Sequence, residues 1–423
     1  MKRKKSKKAK KLLLLFIIFI IVVYITFCGI KILFNLFPKK YIIETDNVAF
    51  ISEIYIYGNH LNIKGNVEEN LSFDEINLLF HSEEDTKVPL NYEFENNNIN
   101  FYLGDKINNG YLIDNLDVGN YNLYIELING NDIIYYKLKN NTNYGETEYY
   151  SIRKNNIQKK YNFQNKNDTI NLNVKKDNNE EVYDIVLDPG HGGIDKGACG
   201  NSYCETDFTY LISSKVKEEL EKNGLKVKLT RGDLSSEERL PNYGKNGRVN
   251  IANDSKAKYL FAIHLNSNDY NDSGLEIYTS YNIDYSFASS LASNIVKNSG
   301  TKFSTNNSFK VQNGVYTRTL QDIDLREASE TAKTQGYKPY DIDLKTTYYF
   351  IIRETGGYMS GAYKDGRDGT AYNYYYNSNV GMESYLLELG YLTSKKDVTN
   401  IKNNNDKYAK SIAQSILNEL EGN

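Results

Sequence analysis

The stretch IVLDPGHGGIDKGACGNSYCETD, residues 185–207, is the most informative segment for the fold of this chain. It begins with an apolar run typical of a buried strand and continues into a glycine-rich loop that carries His191. The pattern of an amphipathic helix, DFTYLISSKVKEELEKNG, starts at its end and stops at Gly224. A strand, a glycine loop and a helix in this order predict the first unit of an α/β domain.

The alternation of strand and helix patterns continues to the end of the chain. A helix is predicted through Arg248 and Ala252, and a closing helix over residues 406–422. Further strands are predicted at residues 226–233, 258–268, 274–280, 348–355 and 383–390. Residues 183–423 should therefore form an α/β catalytic domain with a mainly parallel sheet flanked by helices. Two long polar segments, 301–347 and 356–382, are expected to be excursions near its active face.

In the region before this domain, the apolar residues recur with a different period. Residues 42–175 contain short alternating runs such as ISEIYIYG and YNLYIELI, which are separated by Asn, Asp and Gly clusters. This spacing predicts an all-β, immunoglobulin-like sandwich. The polar residues 176–182 read as a linker between the two units.

The N-terminus has the composition of a membrane anchor. Residues 1–11 are strongly basic, and residues 12–30 contain no charge, which is enough to span a bilayer as a helix. A secretory signal would have a shorter apolar core and a small-residue cleavage site. We therefore predict a cytoplasmic tail at residues 1–11, a transmembrane helix at residues 12–37, and a single-pass protein of the cell membrane with an extracytoplasmic catalytic domain.

The charge distribution argues against nucleic acid as a partner. Residues 1–40 carry eleven Lys or Arg and no Asp or Glu. The formal net charge of the whole chain is −3, so the remaining residues carry a net charge of −14. So acidic a remainder is poorly suited to bind a polyanion. The same region contains Cys199 and Cys204, whose spacing allows either a short-loop disulfide or two reduced thiols.

Two of the four histidines lie where the predicted sheet would place a ligand site. His191 directly follows the first strand of the α/β domain, and His264 lies at the end of the third. Carboxyl ends of parallel strands share one edge, and open α/β sheets bind ligands there. Two imidazoles and an acidic side chain suit a catalytic zinc ion, with Glu205 and Glu388 as the candidate acids.

The ordered motifs identify a known family. DPGHGG at 188–193, Glu205, LTR at 229–231, Arg248, IHLNS at 263–267, GLEIY at 274–278 and LELGYL at 387–392 resemble the zinc-dependent N-acetylmuramoyl-L-alanine amidases of the Amidase_3 family. The resemblance covers residues 183 to about 420. It implies a hydrolase that cuts the amide between N-acetylmuramic acid and the L-alanine of the peptidoglycan stem peptide.

The resemblance also implies roles for single residues. His191, Glu205 and His264 match the zinc ligands of the family, and Glu388 matches its catalytic glutamate. Zinc would acidify a water molecule, and Glu388 would accept its proton and pass it to the departing nitrogen. Asn266, Arg231 and Arg248 are candidates for substrate contact or for support of the ligands; for both arginines, a salt-bridged structural role is equally compatible with the sequence. Cys204 is an alternative, softer zinc ligand.

Two other functions remain compatible with the sequence. A catalytically inactive wall-binding protein would retain the fold, and a zinc peptidase would cut the stem peptide itself. The sequence names no protein partner for the β-rich module.

Overall fold

The computed structural model describes most of the chain after residue 47. The described residues are 20, 23–24, 39–43, 48–69, 71–104, 110–142, 147–177, 181–235, 237–238, 240–242, 246–281, 283–335, 346–357 and 380–422. Within them, strands outnumber helices and form two large sheets.

The first large sheet contains fifteen strands among the described residues, fourteen of which come from the N-terminal part. The strands are β1 (Lys39–Ile43), β2 (Ala49–Tyr57), β3 (His60–Val67), β4 (Glu75–His81), β5 (Thr86–Pro89), β6 (Asn91–Glu95), β7 (Asn98–Leu103), β8 (Tyr111–Leu112), β9 (Gly119–Asn129), β10 (Asp132–Lys137), β11 (Lys139–Asn140), β12 (Thr147–Tyr150), β13 (Gln158–Lys166), β14 (Thr169–Asp177) and β23 (Val380–Gly381). A single 3-10 turn, Ile113–Asn115, interrupts these strands in the described region.

The apolar alternation that predicted these strands also forms their core. In β9, Leu123, Ile125 and Leu127 are at most 1% exposed, because every second side chain of a strand points to the same face. The strand pairing, however, is mixed. β1 runs parallel to β10, β11 parallel to β2, and β23 parallel to β2, while the remaining pairs are antiparallel.

The predicted immunoglobulin-like sandwich is therefore wrong. Such a sandwich consists of two antiparallel sheets packed face to face, whereas these strands belong to one hydrogen-bonded mixed sheet. Alternation identifies a strand but does not specify its neighbours, and three of the pairs here are parallel. One of them recruits β23, which lies more than 300 residues beyond β2 in the chain.

The second large sheet contains seven strands in the described part of the chain, in the order β18-β15-β19-β24-β20-β22-β21. β15, β18, β19 and β24 are mutually parallel, β20 is antiparallel to β24, β22 is parallel to β20, and β21 is antiparallel to β22. The strands of this region are β15 (Ile185–Pro189), the β16 (Cys199–Gly200) and β17 (Tyr203–Cys204) hairpin, β18 (Val227–Leu229), β19 (Tyr259–Asn266), β20 (Glu276–Tyr278), β21 (Lys310–Gln312), β22 (Val315–Tyr316) and β24 (Glu383–Tyr391).

Helices cover both faces of the seven-stranded sheet. The helices among the described residues are α1 (Thr206–Lys222), α2 (Arg248–Asp254), α3 (Ser286–Ser299), α4 (Asp322–Gln335), α5 (Phe350–Thr355) and α6 (Lys395–Gly422). One core joins α1, α3 and α6 to side chains such as Phe261 and Ile263, and a second joins α2 and α5 to Leu260 and Ala262. Consecutive residues of β19 thus enter opposite cores, which is why the whole strand is apolar up to His264.

Residues 348–355 do not form the predicted strand. The aromatic and β-branched residues of YYFIIRET favour a strand by propensity, yet Phe350–Thr355 is helical. Ile351 and Ile352 are both buried, in the core that also contains Val249 and Leu386. Packing of adjacent residues into one core suits a helical turn better than a strand, so tertiary contacts override the propensity here.

The structure also contradicts the predicted transmembrane helix. Of residues 12–37, only 20, 23 and 24 belong to the described part, and residues 1–11 lie wholly outside it. No helix in the described part combines the length and the apolar character that crossing a bilayer requires. The predicted fold class is thus wrong in its membrane helix as well as in its sandwich, and the predicted single-pass membrane localisation and membrane anchoring are corrected with it.

Candidate metal centre

The site lies at the carboxyl edge of two neighbouring parallel strands. β15 and β19 pair in register, with Pro189 opposite Ile263, so His191 and His264 lie at the same edge. Gly190 allows the two chains to approach closely, because a Cβ at this position would lie 2.4 Å from the His264 ring. His191 itself has a φ of 57°, which turns the loop so that its side chain faces the His264 ring at a centroid distance of 5.0 Å.

Glu205 joins the two histidines. Its Oε1 lies 3.1 Å from Nε2 of His191, and its Oε2 lies 3.2 Å from Nδ1 of His264. The carboxylate is also held by the backbone, because the N–H groups of Ala198 and Leu265 donate to it over 2.9 Å and 3.1 Å. Candidate ligand atoms of the three residues all lie within 4.8 Å of one another. Two imidazoles and a carboxylate this close could hold one metal ion.

The charges of the cluster favour an ionised acid. Burial raises the pKa of Glu205, but hydrogen bonds and charge from both histidines lower it well below its usual range. Burial lowers the pKa of His191, yet Glu205 and Asp195 raise it overall. A carboxylate that stays ionised at neutral pH is the form that binds a cation.

Glu388 lies beside this cluster on the next strand. β24 pairs with β19 so that Glu388 is directly opposite His264, and both line a cavity of about 320 Å³ with Glu205 and Tyr349. Oε2 of Glu388 is buried and has no hydrogen-bond partner among the described residues. Burial, followed by the charges of Glu205 and Glu276, raises the pKa of Glu388 well above its usual range. An unpaired, buried carboxyl group at a cavity wall is suited to proton transfer.

Two arginines, candidates for substrate contact or for support of the ligands, donate to the histidine loop. Arg231 donates from Nη2 to the carbonyl of Gly190 over 3.0 Å. Arg248 donates from Nη1 to Asp188 over 2.7 Å and from Nη2 to the carbonyl of His191 over 3.0 Å. The two arginines are 6% and 4% exposed, so the structure places their charged groups in the support of the loop.

Asn266 also contacts a protein group within the described region. Its Nδ2 donates over 3.0 Å to Oε2 of Glu276, a fully buried residue that also accepts from Tyr278 over 2.8 Å. The other oxygen of Glu276 accepts from Ser304 over 2.7 Å and from the hydroxyl of Tyr391. Glu276 therefore links β20 to β19 and β24, the two strands whose residues line the cavity. No role was predicted for Glu276 from the sequence, although GLEIY places an acid inside an apolar strand.

Cys199 and Cys204 are paired with each other. Cys199 and Cys204 lie opposite each other in the β16–β17 hairpin and form a disulfide. The hairpin leads directly into Glu205, the residue before α1. Since its sulfur is bonded to Cys199, Cys204 is not a free thiolate that could replace Glu205 as a ligand.

A comparison with known proteins supports what this geometry indicates. Residues 185–418, more than half of the chain, match the family model Amidase_3, described as N-acetylmuramoyl-L-alanine amidase. The chain belongs to this family. The matched residues include the complete His191, Glu205, His264 and Glu388 cluster.

Individual relatives of this amidase-family chain match it over shorter segments. The germination-specific N-acetylmuramoyl-L-alanine amidase of Bacillus subtilis is 36% identical over 94 residues, which are 20% of this chain and 38% of the relative. The probable cell wall amidase LytH of Staphylococcus aureus is 42% identical over 69 residues, 16% of this chain and 24% of the relative. The chain thus spans well under half the length of these curated relatives.

Solved structures of amidases also resemble the chain. The N-acetylmuramoyl-L-alanine amidase AmiC2 of Nostoc punctiforme is 23% identical to it, with a TM-score of 0.36. The match covers 57% of this chain and 98% of that one.

One contact in this amidase-family site was not predicted from the sequence. Oδ2 of Asp195 lies 3.0 Å from Nδ1 of His191, so the carboxylate can orient the imidazole and leave Nε2 free for a metal ion. The four-residue spacing from His191 was the available signal, but within a glycine-rich loop this spacing does not specify a contact.

Proposed function

We propose that this chain is a zinc-dependent N-acetylmuramoyl-L-alanine amidase, which hydrolyses the amide between N-acetylmuramic acid and the L-alanine of the peptidoglycan stem peptide. The observation that carries the proposal is the His191, Glu205 and His264 cluster, which shares one cavity with the unpaired Oε2 of Glu388. The family match supports the reaction type. We assign the reaction to residues 183–423 and propose that residues 42–175 are an added β-rich module, whose sheet also includes β23.

The donor set fits a catalytic zinc ion. His191, Glu205 and His264 supply two nitrogens and an oxygen, the three-ligand pattern that leaves a position for water or substrate. A zinc ion held by them would supply a Lewis acid that polarises the scissile carbonyl and lowers the pKa of water. Asp195 orients His191, and the two backbone donors on Glu205 keep its carboxylate in place.

In this proposal, Glu388 transfers the proton. Its carboxylate takes a proton from the attacking water and delivers it to the alanine nitrogen as the C–N bond breaks. Burial raises the pKa of Glu388, which makes its carboxylate a stronger base than an exposed glutamate. The unpaired Oε2 at the cavity wall supports this role, since no protein donor among the described residues competes for it.

The experiment uses the whole chain and a muramoyl peptide that carries the natural stem sequence. We expect the zinc-loaded chain to release peptides with a new N-terminal L-alanine, and a chelator to abolish the release until zinc is restored. Mass analysis of the fragments shows which bond is cut. Cleavage only within the stem peptide, or no cleavage by the zinc-loaded chain, would refute the proposed reaction.

A further inference from the structure

Arg318 lies in a segment that is tied to the wall of the cavity. It follows β22, and its carbonyl accepts from the N–H of Tyr348 over 2.8 Å. Thr319 forms a β-bridge with Thr347. The backbone around Arg318 is thus paired with the residues that lead into α5, whose preceding residue, Tyr349, lines the cavity.

The guanidinium of Arg318 is held in place by rings and has no acidic partner among the described residues. Its Cζ lies 3.4 Å from the centre of the Tyr348 ring and 5.2 Å from the centre of the Phe309 ring. Its Nε is shielded from water and has no hydrogen-bond partner among the described residues. An unsatisfied buried donor is destabilising, so a guanidinium kept in this state is a candidate to bind a ligand through its other N–H groups.

Other arginines near the cavity differ from Arg318. Arg231 and Arg248 donate to carbonyls of the histidine loop, and Arg353 donates from Nη1 to the carbonyl of Tyr348 over 2.8 Å. Those contacts give the three arginines structural roles. The described contacts of Arg318 give its charge no comparable role within the fold.

The position of Arg318 relates it to the proposed chemistry. The rings of Tyr348 and Tyr349 lie 5.3 Å apart, so one aromatic ring separates the guanidinium from a residue of the cavity wall. The pKa of Tyr349 is raised by burial and by the charge of Glu388, while the charge of Arg318 acts in the opposite direction. Tyr349 therefore lies within electrostatic range of both groups.

We propose that Arg318 is a substrate-recognition residue that binds a carboxylate of the stem peptide, next to the amide that is cut. This inference rests on the proposed function and adds a substrate preference to it. A guanidinium stacked on a ring is fixed in its plane, and its N–H groups match the two oxygens of a carboxylate. Lysine could supply the charge but not this planar geometry.

The kinetic test compares two muramoyl peptides that differ only in whether the stem-peptide carboxylates are free or amidated. We expect the wild-type chain to favour the free acids by about 10- to 100-fold in kcat/KM, since hydrogen bonds to charged groups contribute about 1.5–3 kcal/mol. Arg318→Gln should remove this preference through a higher KM for the free acids, with kcat nearly unchanged. Arg318→Lys should restore part of it.

The matched control is Arg326→Gln on α4, because Arg326 is exposed and contacts only a local carbonyl, that of Asp322, in the described structure. It should keep the wild-type preference. If the wild-type chain does not distinguish the two peptides, or if Arg318→Gln slows both equally, the recognition role is refuted.

A binding measurement separates this inference from the proposed reaction. Calorimetry with the free stem peptide requires no hydrolysis. The peptide with free carboxylates should bind at least tenfold more weakly to Arg318→Gln than to the wild-type chain, while the amidated peptide binds both alike. Equal binding of the free-acid peptide to both chains would overturn the role of Arg318, whereas absent hydrolysis with intact Arg318-dependent binding would overturn only the reaction.

Discussion

Strand β24 carries two buried glutamates whose surroundings differ. Glu383 and Glu388 are each 8% exposed and lie five residues apart on this strand. Glu383, at the end near the fifteen-stranded sheet, accepts a hydrogen bond from the hydroxyl of Tyr385 and packs against Gly58, where a Cβ would lie 2.7 Å from its Oε2. Glu388, nearer the other end, has an oxygen at the cavity that lacks a hydrogen-bond partner among the described residues.

The difference shows that burial alone does not identify a reactive acid. Burial raises the pKa of both glutamates, to about 7 for Glu383 and well above the usual range for Glu388. A carboxyl group that accepts a hydrogen bond from the protein stabilises the fold, whereas one left unpaired beside a cavity can exchange a proton with a ligand. The distinction is visible only in the neighbours of each side chain.

The largest expected effect comes from Glu388→Gln. The amide cannot accept the proton of water, so kcat for the muramoyl peptide should fall by about 10³-fold, within the usual range of general acid–base catalysis. The melting temperature should not fall, since an unpaired buried carboxyl group is replaced by a neutral group of the same shape. Steady-state kinetics and thermal unfolding of the zinc-loaded chain measure both quantities.

Glu383→Gln is the control for Glu388→Gln, because the same substitution is made on the same strand. It should keep kcat within about twofold at neutral pH, as Glu383 does not line the cavity. Equal loss of kcat in the two variants would show that β24 is sensitive to any change of a buried acid.

The second expected effect concerns Glu276, which holds the reactive end of β24. Glu276→Ala leaves four donors without their acceptor, so the free energy of unfolding should fall by about 3 kcal/mol or more in denaturant titrations. Ser304→Ala removes one donor and should cost about 1 kcal/mol. If Glu276→Ala were as stable as Ser304→Ala, the network would not hold these strands.

The smallest expected effect is a pH dependence of the folding stability, which comes from Glu383. Because folding raises the pKa of Glu383 from 4.5 to about 7, its stabilising contribution is complete below pH 4.5 and is lost as the pH rises through about 7. Glu383→Gln should therefore gain stability relative to the wild-type chain between pH 5 and pH 8, on the order of 2 kcal/mol. Denaturant unfolding across this range measures the gain, and a constant difference between the two chains would contradict the assigned cause.

Local patterns predicted the elements that build the site. The apolar run before Pro189 is a strand, the helix that starts after Glu205 ends just before Gly224, and His264 lies near the end of its strand. These features depend on residues close in sequence. The side chains of His191, Glu205 and His264 converge as the motif order suggested, and their role as zinc ligands stays a prediction.

Features that depend on distant contacts were not predictable in the same way. The parallel pairing of β2 with β23 joins segments from opposite ends of the chain, and no local pattern specifies it. The helix at Phe350–Thr355 follows from packing against α2 and β24, against the strand propensity of its sequence. The roles of Asp195 and Glu276 depend on the loop conformation and on the register of β20 against β24.

The proposed metal centre is tested most directly by a zinc titration of the whole chain and of two matched variants, Glu205→Gln and Glu383→Gln. We expect one zinc ion per wild-type chain, binding weakened by about 100-fold or more in Glu205→Gln, and unchanged binding in Glu383→Gln. Unchanged zinc affinity in Glu205→Gln would contradict the proposed metal centre, and with it the proposed reaction.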